Sequence, residues 1–294
     1  MVSERQKAIF SLVLLAFSFA SIGIFIRFLS TGFPLYQQIY LRLFIAFLLG
    51  LVFFRRVRLS IFLSLKGKEW GLLLLRAFSM YVIALILYNR AILLTKYASV
   101  GFIGSLPSTA ILGVLIFKER LGLKKFLLIL AALLGAFLIS VKDFSNIFGW
   151  GLGETLVLIS LFLFSFSYLA RRWQSSTLNE QEMTLIQLFL GALMVFLISP
   201  LDRGSVLESP WQVSFLLAFI LSGLINVANL YLINYSFSRV KAVLAGNILT
   251  LEAVFALVWS VLLYREIPGA REFLGGGLIL MSVFVMNWLD RDGT

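Results

Sequence analysis

Five charged side chains of this 294-residue sequence sit inside long apolar runs: Arg27, Arg42, Arg76, Glu154 and Glu252. An ionised Arg, Lys or Asp at the centre of a bilayer costs about 2.5–3.5 kcal/mol, so a side chain of this kind marks a functional site by default. Glu252 lies about ten residues into its run, roughly 15 Å along a helix and close to the midplane. A carboxylate there can bind an amine, carry a proton, or pair with a cation that locks two helices together. Arg42 stands roughly 9 Å from a helix end. Its guanidinium can grip a substrate carboxylate through two hydrogen bonds, or pair with Glu252 or with helix-end carbonyls. Arg76 has a similar depth from the opposite side and either meets solute or snorkels to the interface. Glu154, near the mouth of its run, guards an entrance or rests among headgroups. Arg27, close to a run's end, snorkels.

Uncharged polar groups extend this set. Ser222, Asn226 and Asn229 are spaced by four and three residues, which puts them on one face of a helix. An unbonded amide in hydrocarbon is costly, so this stripe faces a wet cavity or bonds to a neighbouring helix. Asn247 and Thr250 repeat the spacing near Glu252. Tyr40, Tyr81, Tyr88 and Tyr231 can present hydroxyls inside a bundle, and Trp259 shares a face with Glu252. The expected solute-binding residues are therefore Glu252, Asn226, Asn229, Arg42, Arg76, Tyr81, Tyr88 and Trp259, with Glu252 and Glu154 as coupling carboxylates. Pro107 lacks a backbone donor and crowds the carbonyl region around Ile103. With Gly104 beside it, it marks a hinge or a fixed kink.

Other chemistries lack their residues. The sequence has no His and no Cys, which removes the commonest general base, the commonest metal ligand, thiolate metal sites and any disulfide. Its four Asp residues, 143, 202, 290 and 292, all lie outside the apolar runs, so a pair of membrane aspartates for proteolysis is missing. No Walker motif is present for driving work with ATP. Neither a cofactor nor a metal is expected.

The composition says what must position these residues. Hydrophobic residues make up 61% and charged residues 13%, with a mean hydropathy of +1.00. Ordinary globular chains run about 45–50% and about 25%, so the sequence reads as a polytopic membrane protein. Ten runs are long enough to cross as helices: 8–29, 36–54, 70–92, 97–117, 123–141, 150–170, 183–200, 211–236, 241–264 and 272–289. The first resembles a signal peptide, but no small-residue cleavage site follows, and it reads as a retained helix. With the N-terminus inside, the cytoplasmic segments hold 16 Lys and Arg against 6 outside. That bias favours both termini in the cytoplasm. It also explains the net charge of +11 by topology and anionic lipid rather than by nucleic acid.

The chain repeats itself. Phe117-Lys118-Glu119-Arg120-Leu121 closes the fourth run, and Tyr264-Arg265-Glu266-Ile267-Pro268 closes the ninth. Glu119 and Glu266 are 147 residues apart, half the chain length. A unit of five helices is odd, so the second copy enters the membrane from the opposite side. Inverted repeats place a solute site near the midplane between the halves and permit alternating access. The expected fold is all-α, with ten transmembrane helices as two inverted five-helix repeats over residues 1–145 and 146–294.

Arg42 within Tyr40-Leu41-Arg42-Leu43-Phe44-Ile45-Ala46, Pro107 in the fourth run, Glu119-Arg120-Leu121, Gly151-Leu152-Gly153-Glu154, Leu251-Glu252 and Glu266 together resemble the EamA type of the drug/metabolite transporter superfamily. The resemblance covers nearly the whole chain and is carried by the order and spacing of short motifs. One departure is Ala253, where relatives often carry Pro after the Leu-Glu pair; the break in helix nine is expected to be softer than the one at Pro107. The resemblance implies a secondary transporter of small polar or amphipathic metabolites, such as amino acids or related amines, in the inner (cytoplasmic) membrane. Export is the implied direction, and a proton is one coupling ion open to it. A lipid or headgroup flippase and a facilitative, channel-like carrier stay open as alternatives. The implied partners are the solute and membrane lipid, with a homodimer also open.

Overall fold

The computed structural model describes residues 3–58, 60–95, 100, 103–104, 106–119, 121–140, 151–201, 211–264 and 269–291. Within them the chain is helical, and each of the ten expected runs falls on a helix. These are α1 (Glu4–Leu29), α2 (Leu35–Phe53), α3 (Gly67–Leu94), α4 (Ser108–Phe117), α5 (Leu123–Ser140), α6 (Leu152–Leu169), α7 (Glu180–Ile198), α8 (Val213–Ser236), α9 in two pieces (Ala242–Leu249 and Leu251–Tyr264) and α10 (Ala270–Arg291). Among the described residues, seven stretches are both long and apolar enough to span a membrane, and Ser108–Phe117 and Phe273–Leu289 are shorter apolar helices.

Local chemistry fixes the starts of these helices. The first backbone N–H groups of a helix have no partner within it. Before α1, the Ser3 hydroxyl accepts from Gln6 N at 3.2 Å while Gln6 Oε1 accepts from Ser3 N at 2.9 Å. Asn179 and Glu182 make the same reciprocal pair before α7, at 2.9 Å each way. The Glu154 carboxylate accepts from Gly151 N at 3.1 Å and caps α6.

Three helices are irregular. In α3 the segment Phe78–Ala84 is π-helical; such turns insert roughly one extra residue and shift the faces beyond them. The chain bends at Leu106 and α4 starts immediately after Pro107, whose φ and ψ are −79° and 52°. The break in α9 is milder: Thr250 keeps helical angles of −62° and −17°. With Ala253 in place of Pro, that backbone retains its donor, and Ala253 N donates to Thr250 O at 3.1 Å.

Packing displays the two-fold relation of the repeats. α1 packs on α8 as α6 packs on α3; α2 packs on α8 as α7 packs on α3; α1 packs on α9 as α6 packs on α4. Three further pairs, α2 with α7, α4 with α9 and α5 with α10, map onto themselves when each helix is exchanged for the one five places on. The tightest of these seams joins α5 to α10. A Cβ added to Gly135 would strike the carbonyl oxygen of Gly275, and one added to Gly275 would strike that of Gly135. Small residues allow such backbone approach where lipid supplies no hydrophobic drive between helices. Ser282 Oγ pins the same seam by donating to Leu128 O at 2.6 Å. The outer faces carry exposed Val52, Phe53, Leu115, Phe273 and Phe284, an apolar coat that suits lipid and would aggregate in water.

Candidate functional site

A cavity of about 130 Å³ lies between the two repeats. An ordered water needs roughly 10–15 Å³ on the same measure, so the space is solute-sized. Its wall is built from α1, α3 and the Pro107 region of the first repeat and from α6, α8 and α9 of the second, with Arg42 reaching in from α2. The breaks in α4 and α9 both border it, through Gly104, Leu106, Ser108, Leu249 and Thr250.

Glu252, in the first turn of the second piece of α9, lines this cavity and is half-buried. Among the described residues no cation stands within ion-pair distance of its carboxylate. The alternative of an Arg42–Glu252 pair is therefore not what is observed. Arg42 is 2% exposed and donates from Nε to Gln38 O at 3.2 Å and from Nη2 to Asn89 Oδ1 at 3.1 Å. Asn89 in turn donates to Leu85 O at 2.7 Å. Arg42 thus lines the cavity as a cation whose described partners are neutral.

Asn226 and Asn229 both line the cavity. Asn226 spends one donor on Ser222 O at 2.8 Å. Asn229 is 7% exposed, and its Oδ1 is buried with no donor. A buried acceptor in this condition costs roughly 1–3 kcal/mol. Tyr81 and Tyr88 contribute to the wall as the sequence suggested, and Tyr88 sets its edge against Phe164 at 5.9 Å.

Other expected residues lie elsewhere. Arg76 is fully buried and outside the cavity. Its guanidinium donates to Ser167 O at 2.9 Å, to Asn234 Oδ1 at 2.8 Å and to Gln174. With the Gln187 amide turned over, that side chain also accepts from Arg76. These bonds tie α3 to α6, α7 and α8, so the position reads as a structural node and does not snorkel. Trp259 points away from the cavity: its indole donates to Ser21 Oγ at 2.8 Å and packs on Phe17 at 5.5 Å. Glu154 is occupied by Gly151 N and by the Thr95 hydroxyl. The Asn247 amide lies 3.0 Å from Ser282 Oγ, away from the cavity wall. Tyr40 packs edge-on against Phe196 at 5.3 Å, and Tyr231 stacks with Tyr235 at 6.3 Å.

The sequence reading passed over several wall residues. Ser108 and Ser165 share a hydrogen bond of 2.6 Å between the two repeats. Tyr168 stacks between Phe19 at 6.4 Å and Phe164 at 6.2 Å, forming an aromatic wall. Phe164 and Ser165 stand four and three residues before Tyr168, spacings that put each of them on the face of Tyr168.

At the end of the bundle where most Lys and Arg lie, the repeats are latched. The Glu119 carboxylate accepts from Arg172 Nη1 at 2.6 Å, from Ala242 N at 3.0 Å and from Val243 N at 3.1 Å. Arg172 also donates to Val240 O at 2.7 Å. Lys118, in the left-handed region at φ 52°, makes the turn that aims Glu119 at α9. Arg58 forks onto both oxygens of Glu182, at 2.8 and 3.0 Å.

A match to the model of the EamA-like transporter family occurs twice, over residues 6–141 and 151–288. The chain belongs to the EamA-like transporter family. A relative from Methanothermobacter thermautotrophicus, described as an uncharacterized transporter, is 26% identical over 231 residues. The match covers 76% of this chain and 66% of that protein, just under two thirds of its length. A solved crystal structure is similar with a TM-score of 0.77 at 19% identity, covering 99% of this chain and all of the other; that likeness speaks to fold. As an EamA-family chain, the molecule is a multi-pass membrane protein of two helical repeats with its cavity at their junction.

Proposed function

We propose that this chain is a secondary transporter that exports small polar or amphipathic metabolites, such as amino acids or related amines, across the cytoplasmic membrane by alternating access. Both termini face the cytoplasm in this reading. The observation that carries it is the Glu252 carboxylate, which faces a solute-sized cavity without a counter-ion among the described residues. In the same wall, the buried Asn229 Oδ1 lacks a donor among the described residues. Both groups call for a guest with N–H donors and positive charge, which an ammonium supplies. Arg42, paired with neutral acceptors among the described residues, suits the carboxylate of the same guest. Phe19, Tyr88, Phe164 and Tyr168 give an apolar body a place to rest. When no ammonium is bound, a proton neutralises Glu252, which makes this residue the coupling site.

The test is counterflow in proteoliposomes against a panel of labelled amino acids and amines, with and without a pH gradient. Glu252→Gln is expected to abolish gradient-driven transport while the protein stays monodisperse. Asn229→Ala is expected to raise the half-saturation concentration about fivefold to tenfold, the worth of one hydrogen bond of about 1–1.4 kcal/mol. Parental rates in Glu252→Gln would remove this carboxylate from the mechanism.

A further inference from the structure

We propose that Gly191, a residue of α7 outside the cavity wall, sets the width of the cavity by letting the Tyr81 ring lie back against α7. The inference rests on reading this cavity as the solute site, but its geometric half can be tested without transport.

Tyr81 lies in the π-helical turn of α3, where the extra residue displaces the regular helix face. Its side chain is 3% exposed, and it lines the cavity. Among the described residues its hydroxyl makes no hydrogen bond, so packing alone places the ring. The packing surface is Gly191. A Cβ added there would stand 2.7 Å from Cγ and 2.8 Å from Cε2 of Tyr81, and closer still to Cδ2. Ordinary contact begins at 3.4 Å, so the ring would have to withdraw by at least about 0.7 Å. Cγ is the root of the ring, and a local flexing of its tip cannot relieve this overlap. Packed interiors give little, and the empty space that Tyr81 borders is the cavity. A single methyl group at Gly191 therefore drives an aromatic ring into a space of about 130 Å³. Small solutes still fit; those with a large apolar body do not. The missing side chain on α7 acts as a gauge for a wall made by α3.

The chain has no cysteine, so Leu249→Cys, on the cavity wall, provides a single thiol. The probes are methyl and benzyl methanethiosulfonate, and the readout is the ratio of their labelling rates. Gly191→Ala is expected to lower the benzyl-to-methyl ratio at least fivefold, and adding Tyr81→Leu is expected to restore it. An unchanged ratio in Gly191→Ala, or no restoration in the double variant, overturns the inference. If Gly191→Ala is not recovered as a monodisperse protein, Tyr81→Leu alone carries the test: the ratio should rise at least threefold, and an unchanged ratio overturns the inference. Counterflow of alanine and tryptophan forms the second arm, in which Gly191→Ala should depress tryptophan at least fivefold more than alanine. Altered labelling with an unaltered transport profile would uphold the gauge and refute the cavity as the solute path.

Discussion

Glu119→Gln tests the latch between the repeats. The substitution keeps the shape of the side chain and an oxygen for one of the two α9 N–H groups, which the carboxylate serves with separate oxygens, and it removes the negative charge. The carboxylate and the Arg172 guanidinium are 12% and 21% exposed, at a separation of 2.6 Å. At an effective dielectric constant of 20 the bare attraction is about 6 kcal/mol, an upper bound because desolvation cancels much of it. A hydrogen bond to a charged group is worth about 1.5–3 kcal/mol net, and a negative charge at a helix N-terminus adds about 0.3–1 kcal/mol. The latch thus favours the closed state by about 2–4 kcal/mol, roughly 30- to 700-fold in population. The proposed alternating access requires this end to open, and only a contact made in one state biases the equilibrium. The variant should shift the resting protein toward opening at the Lys- and Arg-rich end. With Thr250→Cys as the sole thiol, a membrane-impermeant maleimide applied from that side should react at least tenfold faster in Glu119→Gln. An unchanged rate in a variant whose helicity and gel-filtration profile match the parent would show that this carboxylate does not hold the end shut.

Two further tests address the frame. Gly275→Val places a side chain against the Gly135 carbonyl and should leave little monodisperse protein, whereas Gly277→Ala meets nothing within 4 Å and should gain about 0.5–1 kcal/mol from helix propensity; thermal aggregation in detergent separates the two outcomes. Lys118→Gly relieves a left-handed residue at a cost otherwise of about 1–2 kcal/mol, so its melting temperature should rise, and a fall would show that the turn stores no strain.

The membrane helices were legible because lipid imposes a single rule, that a span be long and apolar; among the described residues seven stretches obey it in full, and two shorter apolar helices fall on further expected runs. The inversion was legible from the Glu119–Glu266 spacing and from an odd helix count. Glu252, Asn226 and Asn229 could be found because a polar group is conspicuous in an apolar run. Conspicuousness does not reveal direction, however. Arg76 stands out as clearly as Arg42, yet its partners Gln174 and Asn234 lie 98 and 158 residues away, and no local pattern announces them. Trp259 shares a helical face with Glu252, but seven residues carry it roughly 10 Å along the axis, to where Ser21 of α1 captures its indole. The π turn of α3 leaves no sequence signature, so Met80, beside the expected Tyr81, could be assigned to the cavity only from coordinates. Tyr168 was hidden by abundance, one ring among 29 Phe and 9 Tyr.

The α5–α10 seam has a mechanical meaning. It is fixed at two places along its length, the mutual glycine contact at residues 135 and 275 and the Ser282–Leu128 hydrogen bond. Two fixed points define a line, and a body held on a line can only turn about it. Room beside this contact is small as well: a Cβ added to Gly275 would also stand 3.0 Å from Ile139 and 3.1 Å from Leu138. One of these helices belongs to each repeat, and neither touches the cavity. Under the proposed alternating access this seam would serve as an axle, and small rotations about it would become larger excursions at the far side, where the solute would pass.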